Sequence, residues 1–230
     1  VTPMHENGEI DYTSYAALIE MHINQGTAAF IINGTTGESG TLDTTEQLHS
    51  LSFALKKVAK RLPVIAGIAA NSVSLAVEKA HLIQAAGADA CLILTPTYIK
   101  PTQEGLFLYY QAIASQINLP IIMYNVPSRT ACDLLPATVA RLAKIPNIVG
   151  IKEATGDMTR VVDITYLCGD EIQLYSGDDA TALPFLLLGG KGVISVTANV
   201  APQLMANLCQ AVAQNNIVLA REINFKLQGL

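Results

Sequence analysis

A run of apolar residues, Ile148-Val149-Gly150-Ile151, ends abruptly at Lys152 and passes into Glu153-Ala154. Such a run suits a strand buried on both faces, which leaves the lysine where the strand emerges from the core. An amine held there is poorly hydrated. Lowering a lysine pKa from about 10.4 to about 7.5 takes roughly 4 kcal/mol of destabilisation of the ammonium, which partial burial can supply. The neutral amine can then attack a carbonyl and form a Schiff base. The plain alternative is a strand-end lysine that snorkels to solvent or pairs with Glu153.

Five other stretches carry groups suited to chemistry. Gly34-Thr35-Thr36-Gly37-Glu38-Ser39 is a loop of glycines and hydroxyls whose N–H groups could hold a carboxylate, or simply a capped turn. Tyr98, after Thr95-Pro96-Thr97, and Tyr124, ahead of Asn125-Val126-Pro127-Ser128-Arg129, are phenols able to pass protons, although each taken alone is a packed amphipathic side chain. Arg129 alone reads as a solvated loop residue. In Ser176-Gly177-Asp178-Asp179 the aspartates read as helix caps, and Ile194 and Ser195 fall at the end of a further apolar run.

The elements that must position these groups alternate along the chain. Strand-like runs fall at Val1-Thr2 (a stub), Ala28 to Asn33, Val64 to Gly67, Ala90 to Thr95, Ile121 to Tyr124, Ile148 to Lys152, Ile172 to Ser176 and Gly192 to Ser195, eight in all. Helical patterns fall at about 12 to 24, 44 to 60, 72 to 86, 103 to 116, 136 to 144, 157 to 167 and 180 to 188, and from 202 onward. Asp43 with Glu46 reads as a capping box, Pro136 as a first-turn proline and Gly87 as a helix stop. Eight βα units most simply close into a (β/α)8 TIM barrel. A doubly wound open sheet is the runner-up, but no glycine-rich dinucleotide fingerprint or phosphate-binding loop occurs. One barrel domain over residues 1–230 is expected, with a clipped N-terminus and a truncated C-terminal helical region, because Val1 starts near a strand end and Leu230 stops inside a helical pattern. In such barrels the reactive groups gather at the C-terminal ends of the strands, where all the stretches above would meet.

Composition narrows the function classes. Half of the 230 residues are hydrophobic and 14% are charged, which favours a packed domain. The net charge of −5 with scattered basic residues suggests neither a nucleic-acid surface nor a membrane patch. Apolar runs are too short for a membrane span and no signal peptide is read at the start. Cys91, Cys132, Cys168 and Cys209 are far apart, which favours a reducing, cytoplasmic setting. His5, His22, His49 and His81 show no ligand spacing, and no metal is expected. An amine, a carboxylate-binding loop, two phenols and a guanidinium suit metal-free carbonyl chemistry on a small keto acid: an iminium as electron sink, a phenol to remove the adjacent proton, and an enamine to attack an electrophile.

GTTGES at 34 to 39, TPTYIKP at 95 to 101, YNVPSRT at 124 to 130, GIKEATGD at 150 to 157, SGDDA at 176 to 180 and GGKGVISVTAN at 189 to 199 resemble the dihydrodipicolinate synthase family of pyruvate-dependent class I aldolases. The resemblance covers nearly the whole chain in the same motif order. It implies that Lys152 forms a Schiff base with pyruvate, without a separate cofactor, and that Tyr124 donates and accepts protons. Thr36, the backbone at Ile194 and Gly177 would bind substrate. Thr35 would link Tyr124 to Tyr98 in a relay, with Tyr98 reaching into a neighbouring subunit of a homotetramer built as a dimer of dimers. Arg129 would hold the carboxylate of L-aspartate 4-semialdehyde, in the pathway to diaminopimelate and lysine. It separates this reading from the related aldolases acting on keto-deoxy sugar acids or N-acetylneuraminate, and a non-catalytic keto-acid-binding barrel is the third reading. Members inhibited by lysine tend to carry histidines, a glutamate and a second tyrosine where this chain has Thr44, Gln47, Leu75 and Thr97, keeping only Ser39 and Asn71. Weak or absent lysine feedback is therefore expected.

Overall fold

The computed structural model describes all 230 residues. Seven parallel strands form its sheet: β1 (Phe30–Ile32), β2 (Val64–Ile68), β3 (Ala90–Leu94), β4 (Ile121–Asn125), β5 (Ile148–Glu153), β6 (Gln173–Ser176) and β7 (Gly192–Val193). Ten α-helices accompany them: α1 (Tyr12–Asn24), α2 (Thr44–Val58), α3 (Val73–Ala86), α4 (Gln103–Ala114), α5 (Pro127–Thr130), α6 (Pro136–Leu142), α7 (Met158–Cys168), α8 (Ala182–Leu187), α9 (Pro202–Ala213) and α10 (Ile217–Leu227). The strands lie in the sheet in the order β1 to β7 without reversal. A doubly wound sheet would reverse its order at a switch point, so the winding is that of a barrel.

The expected eighth strand is absent. Val1-Thr2 forms no ladder, and the nearby pairing is a single antiparallel bridge between Met4 and Ile10. Two residues cannot supply a row of hydrogen bonds, and β7 offers only Gly192 and Val193 beside them. The stub instead spans the two loops flanking the seam: the Val1 amino group donates to Asn199 Oδ1 at 2.7 Å, and Thr2 Oγ1 donates to the Gly37 carbonyl at 2.7 Å. The barrel is thus a curled sheet whose β1 and β7 edges do not pair.

Local signals explain the helix boundaries. Asp43 and Glu46 form a reciprocal capping box at α2, Pro136 opens α6, and Gly87 ends α3 in the left-handed conformation at φ 91°. The helical pattern read from 202 onward divides at Gln214–Asn216 into α9 and α10. The main core fills the layer between sheet and helices. A smaller apolar set, Leu92, Ile122, Tyr124 and Val126, fills the barrel interior. No helix is long and apolar enough to cross a membrane.

Candidate active site

Strand pleating decides which groups face the interior. Lys152 on β5 is the register partner of Tyr124 on β4 and of Tyr175 on β6, so an amine and two phenols share one face near the strand ends. They line a cavity of about 440 Å³ together with Thr35, Thr36 and Ile194. Lys152 Nζ lies 4.3 Å from the centre of the Tyr124 ring.

Burial pushes the Lys152 amine down to about 8, with the nearby Asp179 carboxylate opposing the shift and Arg129 adding to it. At pH 7.4 about a fifth of the molecules then carry the neutral amine, against roughly one in a thousand for a solvated lysine. Burial pushes the Tyr124 phenol up, partly offset by the nearby Thr35 side chain and by the positive charge of Arg129. The amine is readied to lose its proton while the phenol retains its own.

Gly177 makes room for the amine. A β-carbon there would stand 2.8 Å from Lys152 Cε and 2.6 Å from Ala154 Cβ, closer than side chains tolerate. The Gly177 amide donates to the Glu153 carbonyl at 2.7 Å, which fixes this close approach. A second glycine escaped the sequence reading. At Gly67 in β2 a β-carbon would meet the Asn33 carbonyl oxygen at 2.3 Å, so only glycine lets the chain enter the Gly34–Ser39 loop along this path. A glycine inside a strand run was the available signal.

That loop begins with a short 3-10 turn, Thr35–Gly37. Its hydrogen bonds run from Gly37 to Gly34 and from Glu38 to Thr35, leaving the Thr35 and Thr36 amides without a backbone acceptor at the mouth of the cavity. Free N–H groups at a turn are suited to a carboxylate. Across the mouth, the Ile194 amide is committed to the Ser176 carbonyl at 2.8 Å, so the Ile194 backbone can meet a ligand only through its own carbonyl.

Not every expected residue converges. Arg129, in the four-residue α5, is exposed, yet its charge is felt at both Tyr124 and Lys152. Tyr98 stands outside: its side chain is 88% exposed, its φ is 70°, and its amide donates to Thr130. The Thr35–Tyr98 link of the expected relay is therefore absent within one chain. The aspartates also differ from the sequence reading. Asp178 Oδ2 accepts from the amide and hydroxyl of Thr181 just before α8, as a cap would, but Asp179 Oδ2 accepts from the Val196 and Thr197 amides at 2.8 and 3.0 Å. Asp179 ties the loop after β7 to the loop after β6, and its other oxygen, Oδ1, is buried without a partner. Tyr175, half-buried beside Lys152, was another omission; its only signal was its alternation within the run Ile172 to Ser176.

Residues 1–230 match the family model described as "Dihydrodipicolinate synthetase family". Relatives named 4-hydroxy-tetrahydrodipicolinate synthase include one from Thioalkalivibrio sulfidiphilus, 53% identical across 100% of this chain and 78% of its own length. Another, from Methylococcus capsulatus, is 52% identical across 100% of this chain and 79% of its own length. Among solved structures, the chloride-inhibited dihydrodipicolinate synthase of Acinetobacter baumannii complexed with pyruvate superposes with a TM-score of 0.97 at 46% identity, covering 98% of this chain and 78% of that one. The dihydrodipicolinate synthase of Aquifex aeolicus gives 0.96 at 41% identity, covering 100% and 78%.

Proposed function

The chain belongs to the dihydrodipicolinate synthetase family, and on that premise we propose that it condenses pyruvate with L-aspartate 4-semialdehyde to 4-hydroxy-tetrahydrodipicolinate through a Schiff base on Lys152. The observation that carries the reading is the partly buried amine of Lys152, lowered to about 8 and 4.3 Å from the Tyr124 ring, in the cavity near the strand ends.

The neutral amine adds to the keto carbon of pyruvate, and loss of water leaves an iminium. The pyruvate carboxylate rests on the free amides of Thr35 and Thr36, with the Thr36 hydroxyl beside it, while the Ile194 carbonyl, an acceptor, takes the hydroxyl hydrogen of the amine adduct. In that loss of water the Tyr124 phenol gives its proton to the departing hydroxyl; the phenolate then takes a methyl proton, the iminium accepts the electrons, and the resulting enamine carbon attacks the semialdehyde carbonyl. The proton held by the phenol passes to the new hydroxyl. The amino group of the second substrate then displaces Lys152 and closes the ring, which frees the enzyme. The exposed Arg129, whose charge acts on Lys152, pairs with the semialdehyde carboxylate, an interaction that guanidinium geometry favours, and Gly177 leaves space for the end of the Lys152 side chain. The proposal extends to a homotetramer, a dimer of dimers, in which the outlying Tyr98 completes a partner's proton relay. Four free cysteines suit a cytoplasmic setting.

Borohydride reduction in the presence of pyruvate tests the mechanism. A reduced pyruvyl adduct is expected on Lys152 and on no other residue. Failure to trap it under conditions that trap a known Schiff-base lysine would end the assignment.

A further inference from the structure

Behind the Lys152–Tyr124 pair, the same two strands carry a second pair that faces away from the cavity. Asn125 and Glu153 are the next register partners and both are buried. Asn125 Nδ2 donates to Glu153 Oε2 at 2.9 Å and to Asp133 Oδ1 at 3.0 Å, while Asn125 Oδ1 accepts from the Leu134 amide at 2.9 Å. Arg160, in the first turn of α7, donates to Asp133 Oδ2 at 2.6 Å and to the Leu134 carbonyl at 3.1 Å. Glu153 Oε1 accepts from the Thr155 amide at 2.9 Å.

The set is closed. Both amide hydrogens of Asn125 go to carboxylates and its oxygen to an N–H, so only one orientation of that side chain fits. Asn125 and Glu153 are its buried centre and the Asp133–Arg160 pair its part-exposed rim, and a satisfied polar network of this kind fixes geometry more than it adds stability. The geometry at stake is that of the segment 126 to 135, which leaves β4 immediately after Tyr124 and carries Arg129. The α5 helix within it has four residues and no side-chain cap bond. Buried Thr130 holds its near end through the Val126 and Cys132 carbonyls and the Tyr98 amide, and the segment beyond it is fastened at Asp133 and Leu134 to β4, β5 and α7 by this network. Neither Asp133 nor Arg160 lines the cavity.

We propose that the Asn125–Glu153–Asp133–Arg160 network is a positioning device that sets Arg129 at the distance from Lys152 required by the carboxylate of the second substrate. The inference rests on the reading above, in which Arg129 binds that carboxylate. Arg160→Met in the full chain is expected to raise KM for the semialdehyde about tenfold while leaving kcat, KM for pyruvate and the rate of borohydride trapping within about twofold. Arg129→Ala should raise the same KM, and adding Arg160→Met to it should give no further rise, since both act through one contact. Should Arg160→Met fail to fold, Asp133→Asn, which keeps the shape and removes the charge, carries the same readout. The proposal is overturned if the semialdehyde KM stays unchanged, if both substrates shift together, or if the two substitutions add. If Arg129→Ala alone leaves the semialdehyde KM unchanged, the assignment of Arg129 has failed and the positioning role falls with it, although trapping at Lys152 would still stand.

Discussion

Lys152 and Tyr124 face one another as register partners on adjacent parallel strands, with the amine nitrogen 4.3 Å from the centre of the phenol ring. Parallel pairing holds this spacing to the accuracy of the backbone ladder, without reliance on loops. In the mechanism proposed above, the nucleophile and the proton carrier are therefore set in place before substrate enters.

The first consequence concerns pH. With the amine pushed down to about 8, kcat/KM for pyruvate should rise about tenfold per pH unit at acid pH and level off above about 8. Asp179, whose carboxylate favours the charged amine, sets part of that value. Asp179→Asn should move the ascending limb to lower pH. A limb that stays in place, or moves upward, would show that the carboxylate does not act on Lys152.

The same burial costs stability. The folded amine binds its proton less tightly than the unfolded one, at about 8 against about 10.4. Folding is penalised at every pH below about 8, and the penalty fades as pH rises toward about 10.4, because the unfolded chain binds more protons across that window. Lys152→Met, which keeps the apolar stem, should melt a few degrees above the parent protein at pH 7, with the gap narrowing by pH 10. Thermal unfolding followed at both pH values reads the difference directly. Equal melting temperatures at pH 7 would mean that the amine is effectively solvated.

Much of this site is legible in the sequence because its reactive groups close strand-like runs. Lys152, Tyr124 and Ile194 each follow a stretch whose apolar character identifies a strand, and parallel strands bring their ends together. What escapes is whatever depends on approach between segments. Asp179 looks like a cap because its own neighbours resemble a helix start; its partners, the Val196 and Thr197 amides, come from another loop. Gly67 matters because of Asn33, and Asn125 because of Asp133 and Glu153. The stub at Val1-Thr2 misleads in the opposite direction. Its apolar start suggests a strand, but its hydrogen bonds go to two loops and not to a ladder.

Gly177 tests how closely the amine is packed. The added methyl group of Gly177→Ala would meet Ala154 Cβ at 2.6 Å and Lys152 Cε at 2.8 Å. The first contact lies on a short side chain at the end of the lysine strand, so relief requires moving Lys152 or the strand. Trapping of pyruvate should slow by about tenfold or more, with a smaller loss of stability, about 1–3 kcal/mol, as for other overpacked sites. A variant that traps pyruvate at the parent rate would show that the strand end yields freely.

Feedback by lysine should be weak, for reasons the structure sharpens. Gln47 Nε2 already donates to the Ser39 and Leu42 carbonyls, and its Oε1 accepts from Lys79 Nζ at 3.2 Å. Asn71 Oδ1 is taken by the amide and hydroxyl of Thr97 at 2.8 and 3.1 Å, and Leu75 offers no charge. An incoming lysine would find its polar partners engaged and an ammonium, that of Lys79, in place of a carboxylate. Two like charges at close range repel, and no carboxylate stands among these residues to offset the repulsion. Activity should therefore persist at millimolar lysine, and Leu75→Glu, which supplies the missing carboxylate, should introduce measurable inhibition. Half-loss of activity in the parent protein at sub-millimolar lysine would show that these side chains rearrange to accept the ligand.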